Sequence, residues 1–292
     1  MTRVQLPDAE WQFIEPYLPV GEYGPYPERL RQQFEGVIWH FKSGSQWRET
    51  PREFGAWSTV HNRFRQWRDA GAFEALLEGA ISEAAKRGEV DLSLAKGGGP
   101  PEQDGQAPER EERRRIRRRR RIRLKAPPLG GARDGQTSKA HVAGERKCRP
   151  LVFVMTKGQA ADSPQFITVL EKVRVRGTIG RPRTRPDAVA GDKAYSSRGN
   201  RAYLSKRRIK AVIPEKVDQS ANRRKKGSLG GRPVGHDAEL HKDRNTVERL
   251  INKLRAWRGR ATRYDKSPTS YLAGLHLRGA MTWIKDLTRA AA

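Results

Sequence analysis

The sequence predicts an α/β unit preceded by a small all-α unit, on three observations. Residues 1–88 carry four amphipathic helical patterns and no strand pattern. From residue 149 onward, short apolar runs alternate with helical patterns. Between them, residues 89–148 are rich in Gly, Pro and Arg and follow neither period. Apolar residues three and four apart mark a helix buried on one face, and apolar runs of 4–8 residues mark buried strands. Strands alternating with helices predict a sheet with parallel pairs.

The helical patterns come first. "DAEWQFIEPYLP" offers Asp8 as cap and an apolar stripe at Trp11, Ile14 and Leu18. "RLRQQFEGVIWHFKSG" puts Phe34, Val37, Ile38 and Phe41 on one face and ends at Gly44. "GSQWRETPREFGAW" reads as a turn with an exposed Trp–Arg pair, Trp47 and Arg48. "WSTVHNRFRQWRDAG" offers Ser58 as cap with Val60, Phe64 and Trp67 inward, and "AFEALLEGAISEAAKRG" is a fourth helix. Short helices with basic outer faces fit a helix-turn-helix type bundle for DNA, or a plain helical domain with solvated charges.

The middle segment reads differently. "AKGGGPPEQDGQAP" predicts no element, and "APPLGGARDGQTSKAH" predicts loop. Between them Arg113, Arg115, Arg117, Arg119 and Arg121 belong to an arginine run broken by Ile116. Such a run repels itself when free and neutralises phosphates when bound. It predicts a disordered arm that holds nucleic acid without reading sequence.

The α/β part follows. "PLVFVMT" is a strand, and "SPQFITVLEKVRV" a helix with Ser163 as cap and Phe166, Val169, Leu170 and Val173 inward. "DAVAGDKAY" is a strand, "SRGNRAYLSKRR" a helix and "IKAVIPE" a strand. "DQSANRRKKGSLGGRPVGHD" reads as a basic loop. "AELHKDRNTVERLINKLRAWRG" is a long helix. "SPTSYLAGLHLRGAMTWIKDL" is a last one, with Tyr271, Leu272, Leu275, Leu277 and Trp283 on its apolar face.

Charge narrows the function. Sixty Lys and Arg against 33 Asp and Glu leave a formal net charge of +27 in 292 residues. That excess calls for a polyanion, most often nucleic acid. No apolar run approaches the ~20 residues of a spanning helix, and the N-terminus has no signal-peptide core, so no membrane partner is expected. Cys148 is the single cysteine, which excludes an internal disulfide and a Cys-rich zinc site and fits a reducing cytoplasm.

Two carboxylates stand out. Asp192 ends the apolar run Ala188-Val189-Ala190, at the strand edge where α/β sites collect. There it can ligate Mg²⁺, or it can be a turn residue. His241, Arg244, Glu248 and Arg255 lie three, four and seven residues apart, on one helical face. That face reads as a salt-bridge ladder or as a metal-binding carboxylate among phosphate-binding cations.

"VAGDKAYSSRGNRAYLSKRRIKAVIPEK", followed by "RNTVERLINKLRAWRGRATRYDKSPTSYLAGLHL", resembles DDE transposases of bacterial insertion sequences, in the insertion-sequence-five group. So do "VFVMTKGQAADSPQF" and "SGSQWRETPREFGAWSTVHNRFRQWRDAGAFE". The resemblance spans the chain apart from about residues 95 to 140. It implies a ribonuclease-H-like α/β catalytic domain over 149–292, behind a helical DNA-binding domain over 1–88. It also implies Mg²⁺- or Mn²⁺-dependent cleavage and strand transfer through two ions and three carboxylates. Asp192 would be the second carboxylate and Glu248 the third. Arg244 and Arg255 would hold DNA phosphates, with Lys193 and Arg249 as further candidates beside the two carboxylates. The family usually has tyrosine at the position of His241 and lysine at that of Arg255.

The first carboxylate is the larger departure. The family carries it on a strand, followed by Ser or Thr, just after the helical domain. Here "GEVDLSL" runs into "AKGGGPPEQDGQ" as though some tens of residues were deleted between Leu94 and Ala95. Asp91 is the nearest substitute. The expectation is a transposase whose metal site is incomplete, acting in the bacterial cytoplasm at the nucleoid. Its partners would be double-stranded DNA (terminal inverted repeats and target) and further copies of itself. The alternatives are a catalytically dead DNA-binding protein, either a repressor or an inactive subunit, and an RNA-binding protein that uses the arginine run.

Overall fold

A computed structural model describes residues 4–20, 26–98, 130–132, 135–230, 233, 245–259 and 267–290. Four helices come first: α1 (Asp8–Ile14), α2 (Leu30–Ser43), α3 (Trp57–Asp69) and α4 (Ala72–Lys86). Their inward residues are the apolar ones at helical spacing. Phe34, Val37, Val60, Phe64 and Trp67 are fully buried, with Ile38 and Phe41 nearly so. Gly44 ends α2 at φ 72°, a conformation only glycine adopts freely. Two caps differ from expectation. Helix α1 starts from Pro7, leaving Asp8 to accept a hydrogen bond from Arg31 at 2.7 Å, and α3 starts from Ala56 rather than Ser58. In the turn between α2 and α3, Trp47 is half-buried rather than exposed, because it stacks on His40 at 3.7 Å and against Phe64.

The sheet holds β1 (Ala95–Gly98), β2 (Gly130–Ala132), β3 (Gly135–Gly144), β4 (Pro150–Lys157), β5 (Ala188–Ala190) and β6 (Lys210–Val212). Its body runs β4-β3-β1-β5-β6, with β2 paired to the first residues of β3. Strand β1 is antiparallel to β3 and parallel to β5, and β5 is parallel to β6.

This corrects two expectations. "AKGG", expected to form nothing, is the central strand, and "GARDGQTSKAH", expected as loop, contributes to β2 and β3. The reason is that β1 has partners on both sides. Its backbone groups are satisfied across the sheet, so small residues suffice to hold it.

Helices α5 (Asp162–Glu171) and α6 (Arg198–Lys206) pack with Val189 and Ala95 through Phe166, Leu170 and Leu204. Ala188 and Ala190 pack with Leu94 and Val212, the two-residue alternation of a strand. Helix α5 begins from Ala161, so Ser163 lies inside it rather than capping it. Ser197 does cap α6, accepting a hydrogen bond from the Asn200 amide. The basic "DQSANRRKK" is a further correction: it forms helix α7 (Val217–Lys225) rather than a loop.

Helix α8 (Asn245–Arg255) lies across β1. Gly144 makes room for it, since a Cβ there would sit 2.5 Å from Leu250 Cδ2. Its C-terminal end reaches the helical unit, where the Arg258 amide donates to Lys42 O at 3.2 Å. The last helix, α9 (Pro268–Arg289), packs against both α4 and β4 and buries Trp283 completely. One apolar core therefore runs from Leu6 in the helical unit to Leu287 in α9. Among the described residues no helix is long and apolar enough to cross a membrane.

Candidate active site

Asp192 leaves the sheet two residues after β5. The strand's three residues are all buried, and the Gly191 amide still reaches Val212 O at 3.4 Å. The chain then makes a single 3₁₀ turn, Lys193–Tyr195. Tyr195 folds back into the core, its ring 5.4 Å from that of Phe166. With both flanks held inside, the carboxylate between them is exposed at the carboxyl edge of the sheet. Its Oδ1 accepts a hydrogen bond from the Lys193 amide at 2.6 Å. That is a capping geometry, and it leaves the second oxygen available to a cation or a phosphate-bound metal. Lys193 beside it is exposed as well.

The parallel neighbour decides what could join it. Ala95 pairs with Val189 and Lys96 with Ala190. Carried two residues further, that register sets Gly98 level with Asp192. The pairing itself ends at Lys96 and Ala190, two residues short of Gly98 and Asp192.

Glu248 lies in α8, two residues before Leu250, which is buried over Gly144. Its helix therefore crosses β1, the strand next to Asp192. Arg249 and Arg255 on the same helix are exposed. Arg244 and the run from Arg113 to Arg121 lie outside the described residues.

Asp91 is not brought to this edge. It precedes β1 at the strand's amino end, several extended residues of about 3.3 Å each away from Gly98. Its amide donates to Glu145 Oε2 at 2.9 Å, and its own Oδ1 accepts from the Ser93 amide at 2.9 Å. Partial burial raises its pKa, but the Ser93 hydrogen bonds and the charges of Arg146 and Lys147 outweigh this and leave it lowered. It is a structural carboxylate of the turn into β1.

A cluster that the sequence did not single out lies between β3 and α5. His141 is buried, with Nε2 2.9 Å from Thr156 Oγ1 and Nδ1 3.8 Å from Asp162 Oδ1. Lys139 Nζ lies 3.2 Å from the same oxygen. Burial pushes the His141 pKa down, with Lys139 adding to this and Asp162 opposing it. The alternation Lys139-Ala140-His141-Val142 was the available signal, since it sets Lys139 and His141 on one face of a strand.

The resemblance implies a two-ion centre at this edge. Such a centre needs several hard oxygen ligands around each ion. Among the described residues no group of three or more His, Cys, Asp or Glu is placed to hold a metal.

Comparison with known proteins decides the family. Residues 109–280 match the family model described as "Transposase DDE domain", and residues 6–77 match one described as "Putative transposase of IS4/5 family".

This chain belongs to the DDE transposases of insertion sequences.

Two relatives are similar to this member over part of its length. The "Putative transposase for insertion sequence element IS6501" of Brucella ovis is 28% identical over 149 residues, covering 51% of this chain and 99% of the relative. The "Insertion element IS402 uncharacterized 16.2 kDa protein" of Burkholderia cepacia is 30% identical over 103 residues, covering 32% of this chain and 70% of the relative. Among solved structures, the pre-cleavage Mos1 transpososome aligns over 92% of this chain and 82% of its own, at 12% identity and a TM-score of 0.25. That likeness is too loose to carry an argument about this transposase.

Proposed function

We propose that this transposase binds duplex DNA at the ends of its element and no longer catalyses the metal-dependent cleavage and strand transfer of its family. The observation that carries the reading is the β1–β5 register, Lys96 level with Ala190, which counted on by two residues along each chain leads to Gly98 and Asp192. The family's first carboxylate belongs on the strand that follows the helical domain. Here that strand is β1, and it ends on two glycines, Gly97 and Gly98.

The strand order supports a ribonuclease-H-like domain over residues 149–292 completed by β1, with residues 1–88 as the DNA-binding part. In such a domain Asp192 and Glu248 are the remaining ligands for Mg²⁺ or Mn²⁺. Two carboxylates would have to balance two doubly charged ions and fix their spacing, which favours loose or single occupancy. What this chain's own residues still supply is cation. Lys193, Arg249 and Arg255 are exposed, and guanidinium matches phosphate well. Binding is therefore retained where cutting is lost, the behaviour of a repressor or of an inactive subunit in a mixed oligomer, in a bacterial cytoplasm.

The test is a paired assay on a duplex carrying the element's own end. The purified chain is expected to shift that duplex and to leave both strands intact with Mg²⁺ or Mn²⁺ present. Metal-dependent nicking by the unaltered chain overturns the reading.

A further inference from the structure

Helix α7, Val217–Lys225, is an unusual piece of the fold. None of its residues is buried, and Val217 at its start is 86% exposed. Most protein helices are held by an apolar face. This one is held by polar contacts at two points. At its first turn, Gln219 Nε2 donates to Ser196 O at 2.7 Å while Ser196 Oγ donates to Gln219 Oε1 at 3.0 Å. Arg201 braces the same serine, donating from Nη2 to Ser196 Oγ at 2.9 Å and to Ile213 O at 2.7 Å. Near its end, Arg223 makes a two-pronged pair with Glu215, both contacts at 3.2 Å. Ser196 is four residues after Asp192, in the turn that the exposed carboxylate opens.

Beyond Arg223 stand Arg224, Lys225 and Lys226, all exposed. One or two cations in a last turn are explained by the helix dipole. Here Glu215 holds Arg223, three further cations follow in succession, and no acid lies between Asp218 and the helix end. A helix that adds nothing to the core, yet is fastened to the turn of the candidate site, is placed for something outside the fold.

We propose that α7 is a phosphate-contacting arm that holds the DNA strand beside the scissile position. This rests on the DNA-binding reading above and names one of its contact surfaces. From Gln219 to Lys225 the helix rises about 9 Å at ~1.5 Å per residue. Successive phosphates of one strand are spaced by roughly 3.4 Å of duplex axis. The basic end of α7 thus lies a reach of about two or three phosphates along the helix from its Gln219–Ser196 anchor. The partner is the sugar–phosphate backbone of duplex DNA, recognised by charge rather than by base.

The experiment measures the salt dependence of binding to a short duplex of arbitrary sequence. Every phosphate that a variant no longer neutralises lowers the slope of log K against log salt by about 0.9. Arg224→Ala/Lys225→Ala/Lys226→Ala is expected to lower the slope by about 2 to 3. The matched control is Arg174→Ala/Arg181→Ala/Arg185→Ala. It removes three exposed cations from the segment leading into β5, at the opposite end of that strand from Asp192. It is expected to change the slope by less than about 1. Equal reductions in the two triple variants, or no reduction in the α7 variant, overturn the proposal and leave DNA binding standing. A wild-type chain with no salt-dependent duplex binding overturns the proposed function itself, and that result is read before either variant is made.

Discussion

The two ends of strand β1 use charge in opposite ways. At the amino end Glu145 and Arg149 are almost wholly buried and pair through Nε–Oε1 at 2.8 Å and Nη2–Oε2 at 3.1 Å. Arg149 also donates to Glu89 O at 2.7 Å, and its guanidinium lies 3.8 Å over the Trp283 ring. Trp283 Nε1 in turn donates to Pro150 O at 2.7 Å. That pair is held by the end of α4, the turn into β1, the β3–β4 turn and α9. At the carboxyl end Asp192 is exposed and accepts from its own neighbour's amide. The contrast separates carboxylates that hold the fold from one that is left exposed. It also sets the joints of this protein at the other end of the strand from Asp192.

If that contrast is right, substitutions at the amino end cost stability and those at the carboxyl end do not. Trp283→Ala is the largest expected effect. It removes a fully buried ring, the stacking of Arg149 and a buried hydrogen bond, for about 5 kcal/mol, read as a fall in the urea midpoint. Glu145→Leu comes next. It strands Arg149 in the core and costs about 4 kcal/mol, most of which returns in the double variant Glu145→Leu/Arg149→Met.

His276 gives a smaller, pH-dependent effect. Burial, with Lys172 adding to it, pushes its pKa down to about 4. The unfolded chain takes up this proton near pH 6.5 and the folded chain only near 4. Stability therefore falls as pH drops between those values, by up to about 3 kcal/mol. His276→Leu should flatten that part of the stability–pH curve. The smallest effect belongs to the site. Asp192→Asn should move the urea midpoint by no more than the equivalent of about 0.5 kcal/mol. A destabilisation comparable to that of Glu145→Leu would make Asp192 a structural residue and remove the contrast.

What was legible in the sequence followed the apolar pattern. Phe34, Phe64, Trp67, Val189 and Trp283 are readable because period and burial coincide. Asp192 is readable because an apolar run ends on it. Strand β1 was not, since Ala-Lys-Gly-Gly has no strand preference of its own. Its partners, Gly144 and Val189, lie about 50 and 95 residues further along the chain, and non-local pairing overrides local propensity. Helix α7 escaped for a related reason: it has no apolar face and depends on Ser196 and Glu215. The meeting of Asp162 and His141 was not legible because it needs β3, whose residues carry the signals of a loop. The caps at Asp8, Ser58 and Ser163 are displaced by one or two residues because Pro7, Ala56 and Ala161 enter their helices from extended backbone.

The central claim is that a single missing carboxylate at the end of β1 separates this chain from a working metal site. Calorimetric titration with Mn²⁺ of the unaltered chain, Gly98→Asp and Gly98→Asp/Asp192→Asn tests it without need of a DNA substrate. The account predicts weak binding by the unaltered chain. It predicts tightening of about tenfold or more in Gly98→Asp, at least the scale that outer-sphere partners alone command, and disappearance of that gain in the double variant. Equal Mn²⁺ affinity in the unaltered chain and Gly98→Asp, or a gain that survives Asp192→Asn, would contradict it.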